Sequence, residues 1–330
     1  MKKIIFIWAL FIMVSCQKEA REYPQPIENP PTVDNTFSSI LNTSNSGLLS
    51  NVINDIDAST SIIRIATDLG YTTFDGIAWN TLTTSNSNLP SDKINCVLQQ
   101  DSITWIGTDN GLVRFNGVSM TIYKNSNSPL PINKIRSLEV DNSGKLWIGT
   151  FSGGGVCIFD GTNWTVYNPV NSNLPSNSVA DIVKDHLGTI WVATSAGFAK
   201  FDGADFVVFN SVNSPLPNNF VYNLTFDSNH ILWIGSNGGL TKYDGVNWET
   251  FSSSNSGLPL DLVRTIAILS ADNLVVGTEG QGVAVFNSLN LNWNHFSTSN
   301  SNISSNYIKK IVVDLQQQQW IATDNGIDLK

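Results

Sequence analysis

Basic and aromatic side chains recur at two fixed positions of a segment that the chain repeats. Each copy opens with an Asn or Asp, and the residues in question follow it by one position or by three. They are Lys93, Lys134, Phe220 and Tyr307 at the first position, and Arg136, Tyr222, Arg264 and Lys309 at the second. Cationic groups clamp carboxylates or sulfates through charge-assisted hydrogen bonds, and an aromatic ring offers a flat apolar face to a sugar. The pattern predicts a binding site for an acidic oligosaccharide.

A second interpretation of these positions stays open. If they lie on strands that line a wet channel, polar side chains there meet water whatever the function. The lysines would then be solvated and bind nothing. The sequence of these positions does not decide between the two interpretations. The choice depends on where the strands that carry these residues lie in the fold.

The opening Asn or Asp occurs seven times, at intervals of 41 to 45 residues. The seven residues are Asn51, Asp92, Asn133, Asn177, Asn219, Asp261 and Asn306. A period in the low forties with four short strands per copy is typical of a β-propeller. We expect the Asn and Asp side chains themselves to be structural, capping the turn that enters each first strand.

One copy, residues 130–167, shows the four predicted strands. Ile135 and Leu138 belong to the first strand and point to opposite faces of it, so both are buried only if the sheet packs on both sides. The second strand is Trp147-Ile-Gly-Thr150, and the third ends in Phe159-Asp-Gly161. Asp-Gly supplies the positive φ that a tight hairpin needs. These features predict an all-β fold, a seven-bladed β-propeller of four-stranded antiparallel blades.

The seventh copy stops at Lys330 without a fourth strand. The missing pattern, an aromatic followed by an aliphatic and an Asn, occurs before the first copy in Phe37-Ser-Ser-Ile-Leu-Asn42. We therefore predict that an N-terminal strand, about 36–42, completes the last blade. This arrangement closes the ring and hides two strand edges that would otherwise be open to aggregation.

The N-terminus has the features of an exported lipoprotein. Residues 1–15 combine two lysines with a short apolar run, which predicts a signal peptide. Met13-Val14-Ser15-Cys16 resembles the lipobox of bacterial lipoproteins, and the resemblance implies lipid attachment at Cys16. Residues 16–35 then form a Pro-rich tether, and residues 36–330 form the propeller domain.

The first residues of the tether indicate where the protein is located in the cell envelope. Gln17-Lys18-Glu19 resembles in part the surface-export tag of lipoproteins from Bacteroidetes-type bacteria. We expect an outer-membrane lipoprotein held at the membrane by its lipid anchor, and whether it faces the periplasm or the cell surface stays open. A single uninterrupted repeat array predicts one domain and a monomer.

Composition excludes one class of partner and offers little for catalysis. The chain carries a net charge of −9 with no basic stripe, which argues against nucleic-acid binding. We expect no cofactor and no catalytic residue, because nucleophile-elbow and phosphate-loop motifs are missing from the sequence. His186 and His230 fall in turns after first strands and His295 in a fourth strand. These positions are not all at one radius or on one face, so we expect no metal site.

The repeat resembles the two-component regulator propeller repeat, through motifs such as Leu146-Trp-Ile-Gly-Thr150 and Phe159-Asp-Gly161. The resemblance covers all seven copies, residues 43–330. It implies a sensor-like propeller outside the cytoplasm, since such repeats form the oligosaccharide-responsive sensor part of hybrid histidine kinases and also occur in exported stand-alone proteins. This chain contains no kinase, DNA-binding or transmembrane segment.

Three functions follow in order of preference. The first is a lipid-anchored binding propeller for a glycan. The second is a scaffold that docks a partner protein in an envelope complex. The third, least favoured, is a lyase or hydrolase. Propeller lyases of cyclic antibiotics use His and Glu near the axis, and no His of this chain falls on a first strand.

Overall fold

The structure is a computed structural model, and it describes residues 36–151 and 153–330. In this part of the chain, 28 strands form seven four-stranded antiparallel sheets. These residues contain no helix that is long and apolar enough to cross a membrane. The predicted signal peptide, the lipid attachment site Cys16 and the tether 16–35 lie outside the described residues.

Strand β1 (Ser39–Leu41) precedes the first blade. Blades 1 and 2 are β2 (Ile53–Asp57), β3 (Ile63–Thr67), β4 (Gly70–Phe74), β5 (Trp79–Leu82), and β6 (Ile94–Gln100), β7 (Ile103–Thr108), β8 (Gly111–Phe115), β9 (Met120–Tyr123). Blades 3 and 4 are β10 (Ile135–Val140), β11 (Leu146–Thr150), β12 (Val156–Phe159), β13 (Trp164–Tyr167), and β14 (Val179–Lys184), β15 (Ile190–Thr194), β16 (Gly197–Phe201), β17 (Phe206–Phe209).

Blades 5 and 6 are β18 (Val221–Phe226), β19 (Leu232–Ser236), β20 (Gly239–Tyr243), β21 (Trp248–Phe251), and β22 (Val263–Ser270), β23 (Asn273–Thr278), β24 (Val283–Asn287), β25 (Asn292–Phe296). Blade 7 is β26 (Ile308–Val313), β27 (Gln319–Thr323) and β28 (Ile327–Leu329), with β1 as its fourth strand. Each first strand contacts the first strands of the blades on either side, and β26 contacts β2. The seven blades therefore form a closed ring, as predicted.

Ring closure by the N-terminal strand is confirmed. β1 runs antiparallel to β28, with Ser39 opposite Leu329 and Leu41 opposite Ile327. The backbone N–H of Phe37 donates to Asn302 Oδ1 at 2.7 Å. The strand is shorter than the predicted segment 36–42, because only residues 39–41 have strand geometry.

The apolar cores lie between neighbouring blades. Cys96 and Trp105 of blade 2 pack in one cluster with Ile135 and Leu138 of blade 3. Ile135 and Leu138 are both buried, but the expectation that they point to opposite faces was wrong. A register shift within β10 brings both to the face that packs against blade 2. Trp147 of blade 3 packs against blade 4, so this blade buries both of its faces, and the packing fixes the positions of its strands around the axis.

The turn between strands one and two is held by a carboxylate. Asp141 accepts the indole N–H of Trp147 at 3.0 Å on Oδ2 and the backbone N–H groups of Ser143 and Lys145 on Oδ1. Blades 4, 5 and 7 repeat the indole bond. Many of the acidic residues are therefore architectural, which accounts for much of the negative charge.

The opening Asn or Asp is structural, although its partner differs from the prediction. In six copies its side-chain oxygen accepts the backbone N–H of the residue eight positions earlier, at 2.6 to 2.9 Å. The side chain therefore holds the connection that leaves the previous blade. At Asn177 the eighth preceding residue is Pro169, which has no N–H. Asn177 Oδ1 is consequently buried without a partner within the described residues.

Asp328 is a buried carboxylate in the blade that β1 closes. It lies opposite Ile40 of β1 and Ile321 of β27, at a position where other blades have neutral residues such as Cys157 and Ala199. Ser304 donates its backbone N–H to Oδ1 at 2.9 Å and its hydroxyl to Oδ2 at 2.7 Å. Burial raises the pKa of Asp328 to about 6, against the lowering effect of the Ser304 bonds.

This carboxylate should make the stability of the ring depend on pH. Because its folded-state pKa exceeds its unfolded value of 3.8, its contribution is full below pH 4 and is lost as pH rises towards 6. The loss is roughly 2 to 3 kcal/mol. Asp328→Asn should raise the free energy of unfolding by about that amount at pH 7.5 and by little at pH 4. Urea unfolding of both proteins at the two pH values measures this. An Asn variant that is no more stable than the parent at pH 7.5 contradicts it.

Candidate functional site: the central channel

Every first strand carries a β-bulge at the same place. In β10, Ile135 pairs with Thr150 and Ser137 pairs with Gly149, so the register shifts at Arg136. A bulge places two residues opposite one and re-aims their side chains. Arg136 and Ser137 consequently both line the central channel, although adjacent residues of a regular strand would point to opposite faces.

The channel is a cavity of about 480 Å³ bounded by the first strands. Its mouth layer is formed by the third residue after each opening Asn or Asp, and its deep layer by the fourth. The mouth layer consists of Asn54, Asn95, Arg136, Ala180, Tyr222, Arg264 and Lys309. The deep layer consists of Asp55, Cys96, Ser137, Asp181, Asn223, Thr265 and Lys310. Three cations and no carboxylate lie in the mouth layer, whereas the deep layer holds two carboxylates and one cation.

The deep layer joins neighbouring blades. In five blades its side-chain oxygen accepts a backbone N–H from the next blade, at 2.9 to 3.2 Å. The acceptors are Asp55, Ser137, Asp181, Asn223 and Thr265. Apart from Lys310, our sequence reasoning missed this layer. The available signal was two adjacent polar positions between buried aliphatic residues, which a regular strand does not explain.

Lys310 balances the carboxylates of the deep layer. Its ammonium group lies 3.4 Å from Asp55 Oδ1, and Asp55 raises the pKa of Lys310 above its usual range. Burial raises the pKa of Asp181, which Lys310 and the bond from Leu224 N–H lower again. Asp55 is therefore paired with Lys310, and Asp55 and Asp181 both accept backbone N–H groups.

Arg136 is the unmatched charge of the channel. Among the described residues, none forms a hydrogen bond or an ion pair with its guanidinium. Burial lowers the pKa of Arg136, and the positive charge of Arg264 lowers it further. The carboxylates of Asp55 and Asp181 act in the opposite direction. The mouth therefore holds a half-buried cation whose donors have no protein acceptor among the described residues.

The other predicted mouth residues surround Arg136. Arg264 lies 5.0 Å from the ring centre of Tyr222 and 3.4 Å from Glu279 Oε2. The ammonium group of Lys309 donates to Asn54 Oδ1 at 3.3 Å, and burial lowers the pKa of Lys309. The structure thus brings together four of the predicted residues, Arg136, Tyr222, Arg264 and Lys309, as lining residues of one cavity.

The remaining four predicted residues lie on the rim and not on the channel wall. Lys93 and Lys134 pair with Asp68 and Asp109 of the preceding blades, at 3.6 and 3.8 Å. Phe220 and Tyr307 are 51% and 54% exposed. Lys93 and Lys134 each precede the first strand of their blade by one residue, since β6 begins at Ile94 and β10 at Ile135.

Phe151 is a further rim residue, on the turn between strands two and three of blade 3. Its ring centre lies 4.6 Å from the Lys134 ammonium group, and its side chain is partly exposed. This contact holds an aromatic face and a cation together beside the channel mouth.

The histidines differ in part from the prediction. The rings of His186 and His230 stack 3.5 Å apart, on turns of neighbouring blades, a contact that was not predicted. His295 is on β25, as expected. Residues 36–151 and 153–330 contain no group of three or more His, Cys, Asp or Glu that could hold a metal ion. Cys96 and Cys157 are free and buried.

Comparison with solved structures shows the same fold in proteins of low sequence identity. An extracellular domain of the hybrid two component system BT3049 from B. thetaiotaomicron is 21% identical, with a TM-score of 0.71, over 86% of this chain and 40% of that one. This chain therefore spans about 40% of the length of that domain. PorZ of Porphyromonas gingivalis, described as a surface component of the type-IX secretion system, is 16% identical with a TM-score of 0.71, over 88% and 48%.

An enzyme also shares the fold. Virginiamycin B lyase from Staphylococcus aureus is 14% identical with a TM-score of 0.70, over 88% of this chain and 97% of the lyase. None of the curated proteins matches the sequence. The sequence model of the family described as Two component regulator propeller matches residues 129–152, 173–196 and 215–238. Those segments fall at the same place in blades 3, 4 and 5, and all seven blades share one design. The chain is therefore a seven-bladed propeller in which blades 3, 4 and 5 each contain a match to the two component regulator propeller model.

Proposed function

We propose that this protein is an extracytoplasmic binding propeller, lipid-anchored at Cys16, whose channel mouth binds an acidic oligosaccharide. The observation that carries the proposal is the unmatched guanidinium of Arg136. This guanidinium is half-buried and opens onto the channel, and the carboxylates below it are already bonded to Lys310 and to backbone N–H groups. An incoming carboxylate or sulfate would supply the missing acceptor.

The surroundings of Arg136 suit a sugar bearing such a group. Arg264 and Lys309 add positive charge to the same layer, which contains no carboxylate, although Arg264 is shared with Glu279 at 3.4 Å. Tyr222 contributes an aromatic ring beside Arg264. Since guanidinium groups bind carboxylates and sulfates in a bidentate manner, Arg136 and Arg264 would fix the acidic group. Tyr222 would contact the sugar ring.

The location rests on the N-terminal sequence. The lipobox-like Met13-Val14-Ser15-Cys16 supports export and lipid attachment. The names of two similar structures refer to an extracellular domain and to a surface component of a secretion system. They are consistent with a propeller placed outside the cytoplasm. The proposal concerns binding and not catalysis, since His186, His230 and His295 all lie away from the channel wall.

Removing the charge of Arg136 should weaken the binding of an acidic sugar. We expect Arg136→Gln to raise the Kd for trigalacturonic acid by about 10- to 100-fold, because a hydrogen bond to a charged group contributes roughly 1.5 to 3 kcal/mol. The neutral trisaccharide maltotriose should bind more weakly to the parent and show no such loss. Isothermal titration of the purified chain measures both.

Lys124→Gln is the matched control, because it removes one positive charge from the end of a fourth strand, away from the channel. It should leave the affinity within about twofold. The proposal fails if the parent protein does not bind acidic saccharides in a glycan array. It also fails if Arg136→Gln and Lys124→Gln bind trigalacturonic acid equally well.

A protein-docking role is the second candidate function. Phe220 and Tyr307 are exposed aromatic residues on the rim of the channel face, and aromatic anchors are enriched at protein interfaces. The similarity to PorZ is consistent with such a role. Co-purification of an envelope protein from membranes, abolished by Phe220→Ser with Tyr307→Ser, would favour docking. Loss of the saccharide by the same double variant would instead place these rings in the glycan site.

A further inference from the structure

A second cavity, of about 510 Å³, lies between blades 3 and 4 and shares no lining residue with the channel. We call it the 3/4 cleft. Its wall is formed by Trp147, Ile158 and Tyr167 of blade 3 and by Phe201 of blade 4. The rings of Tyr167 and Trp147 both pack edge-on against Phe201. Asp160 and Asp202 lie at the rim, one from each blade.

The other blades show what normally occupies this place. In blade 4, Lys200 pairs with Trp191 across the sheet, and its ammonium group lies 5.5 Å from the centre of the indole. In blade 5, Lys242 pairs with Trp233, and the corresponding distance is 5.7 Å. A cation over a tryptophan ring is attracted by the ring quadrupole. The protein thus places its own cation over the indole in these two blades.

Blade 2 has a cation at the same position. Arg114 pairs with Trp105, and both line the corresponding cleft between blades 2 and 3, of about 470 Å³. In blade 3 the partner of Trp147 is Ile158. The 3/4 cleft therefore keeps the aromatic wall of its counterparts but lacks the cation.

The rim of the 3/4 cleft is negatively charged. Asp160 and Asp202 are exposed, and backbone N–H groups of their turns lower the pKa of both. Both carboxylates are consequently ionised at neutral pH. Lys145 also lies at the rim, but its ammonium group forms no hydrogen bond or ion pair with another described residue. Asp141, a third carboxylate of the lining, accepts the indole N–H of Trp147. The two rim carboxylates therefore face one ammonium group that is not fixed in place.

We propose that the 3/4 cleft binds an alkylammonium group, the side chain of a lysine in a partner protein. The lysine stem would pack on Ile158 and Trp147, in the direction that Lys200 and Lys242 follow in their own blades. Its ammonium group would lie between Asp160 and Asp202. The negative net charge of this chain favours a basic partner segment. This site is independent of the saccharide site in the channel.

The test is a titration with Nα-acetyl-lysine methylamide, with Nα-acetyl-norleucine methylamide at equal ionic strength as the probe without charge. The signal is the indole N–H of Trp147 in protein labelled with ¹⁵N-tryptophan, assigned through Trp147→Phe. The lysine probe should give a saturable shift of this signal, and the norleucine probe should bind at least tenfold more weakly. No saturable shift with the lysine probe overturns the proposal.

Ile158→Lys is the decisive variant, since it copies blades 4 and 5 and fills the cleft with the protein's own ammonium group. It should weaken binding of the lysine probe at least tenfold. Val285→Lys is its matched control, because Val285 holds the same position opposite Val275 in blade 6, and it should leave binding within twofold. Equal binding to the parent and the Ile158→Lys protein overturns the proposal.

Two rim variants keep the test valid if Ile158→Lys does not fold. Asp160→Asn with Asp202→Asn should weaken binding about fivefold, because the anionic rim is lost. Lys145→Gln should tighten binding about twofold, because it removes a competing cation. Unchanged binding in the double Asn variant contradicts the proposal. Neither change touches the channel residues, so binding of acidic saccharides should stay as in the parent.

Discussion

Replacing Phe37 with Ala should lower the free energy of unfolding by about 3 to 5 kcal/mol, the usual cost of truncating a buried Phe. Phe37 is only 3% exposed. Its ring packs edge-on against Phe296 at 6.2 Å, in a cluster that includes Ile303 and Ile308. Because β1 pairs with β28 over three residues only, this side chain is the main apolar anchor of the closing strand.

Ser39→Ala is the matched control for Phe37→Ala, since Ser39 is an exposed residue of the same strand. It should change stability by less than about 0.5 kcal/mol. Urea unfolding followed by tryptophan fluorescence measures both variants. A loss below about 1 kcal/mol for Phe37→Ala would show that β1 contributes little to closure.

Replacing Lys310 with Met should cost about 2 to 4 kcal/mol at neutral pH. The change leaves Asp55 and Asp181 in the deep layer without their cation, and breaking a buried pair by removing one partner is strongly destabilising. The Lys310 side chain keeps 33% of its surface open to the channel, so water reduces the cost below that of a dry interior. The loss should shrink as pH falls, because burial raises the pKa of Asp181 and its protonation removes one of the uncompensated charges.

Two further variants test the Lys310 prediction. Lys309→Met removes the neighbouring ammonium group, whose bonding partner is the neutral Asn54, and should cost less than about 1 kcal/mol. Asp55→Asn combined with Lys310→Met should recover part of the stability, because one of the exposed charges is gone. If Lys309→Met and Lys310→Met are equally stable, the deep layer does not depend on this ion pair.

The blades and their closure could be predicted from the sequence because each depends on a repeated local pattern. Trp147-Ile-Gly-Thr150 and Phe159-Asp-Gly161 recur at a fixed period. The pattern within one period predicts four strands, and the seven copies predict seven blades. The segment after Phe37 could be assigned to the last blade because it supplies the one pattern that the seventh copy lacks. None of these predictions required knowledge of contacts between side chains that are far apart in the sequence.

The channel could be predicted only in part. Regular alternation says that Arg136 and Ser137 point to opposite faces, and the bulge that turns both inward is signalled only by two adjacent polar positions between aliphatic residues. The deep layer was therefore missed, and with it the fact that Asp55 and Asp181 are already bonded. The stacking of His186 on His230 depends on how two turns of neighbouring blades approach each other, which periodicity does not encode.

Pairing of the first strand with the last has a consequence for the order of folding. Ser38 and Leu329 are joined across 291 positions of the chain, and contacts of such sequence separation form slowly. Six blades can assemble from neighbouring segments, but the seventh needs both ends of the propeller at once. During synthesis the unfinished ring therefore exposes the edge of its last blade until residue 329 is available.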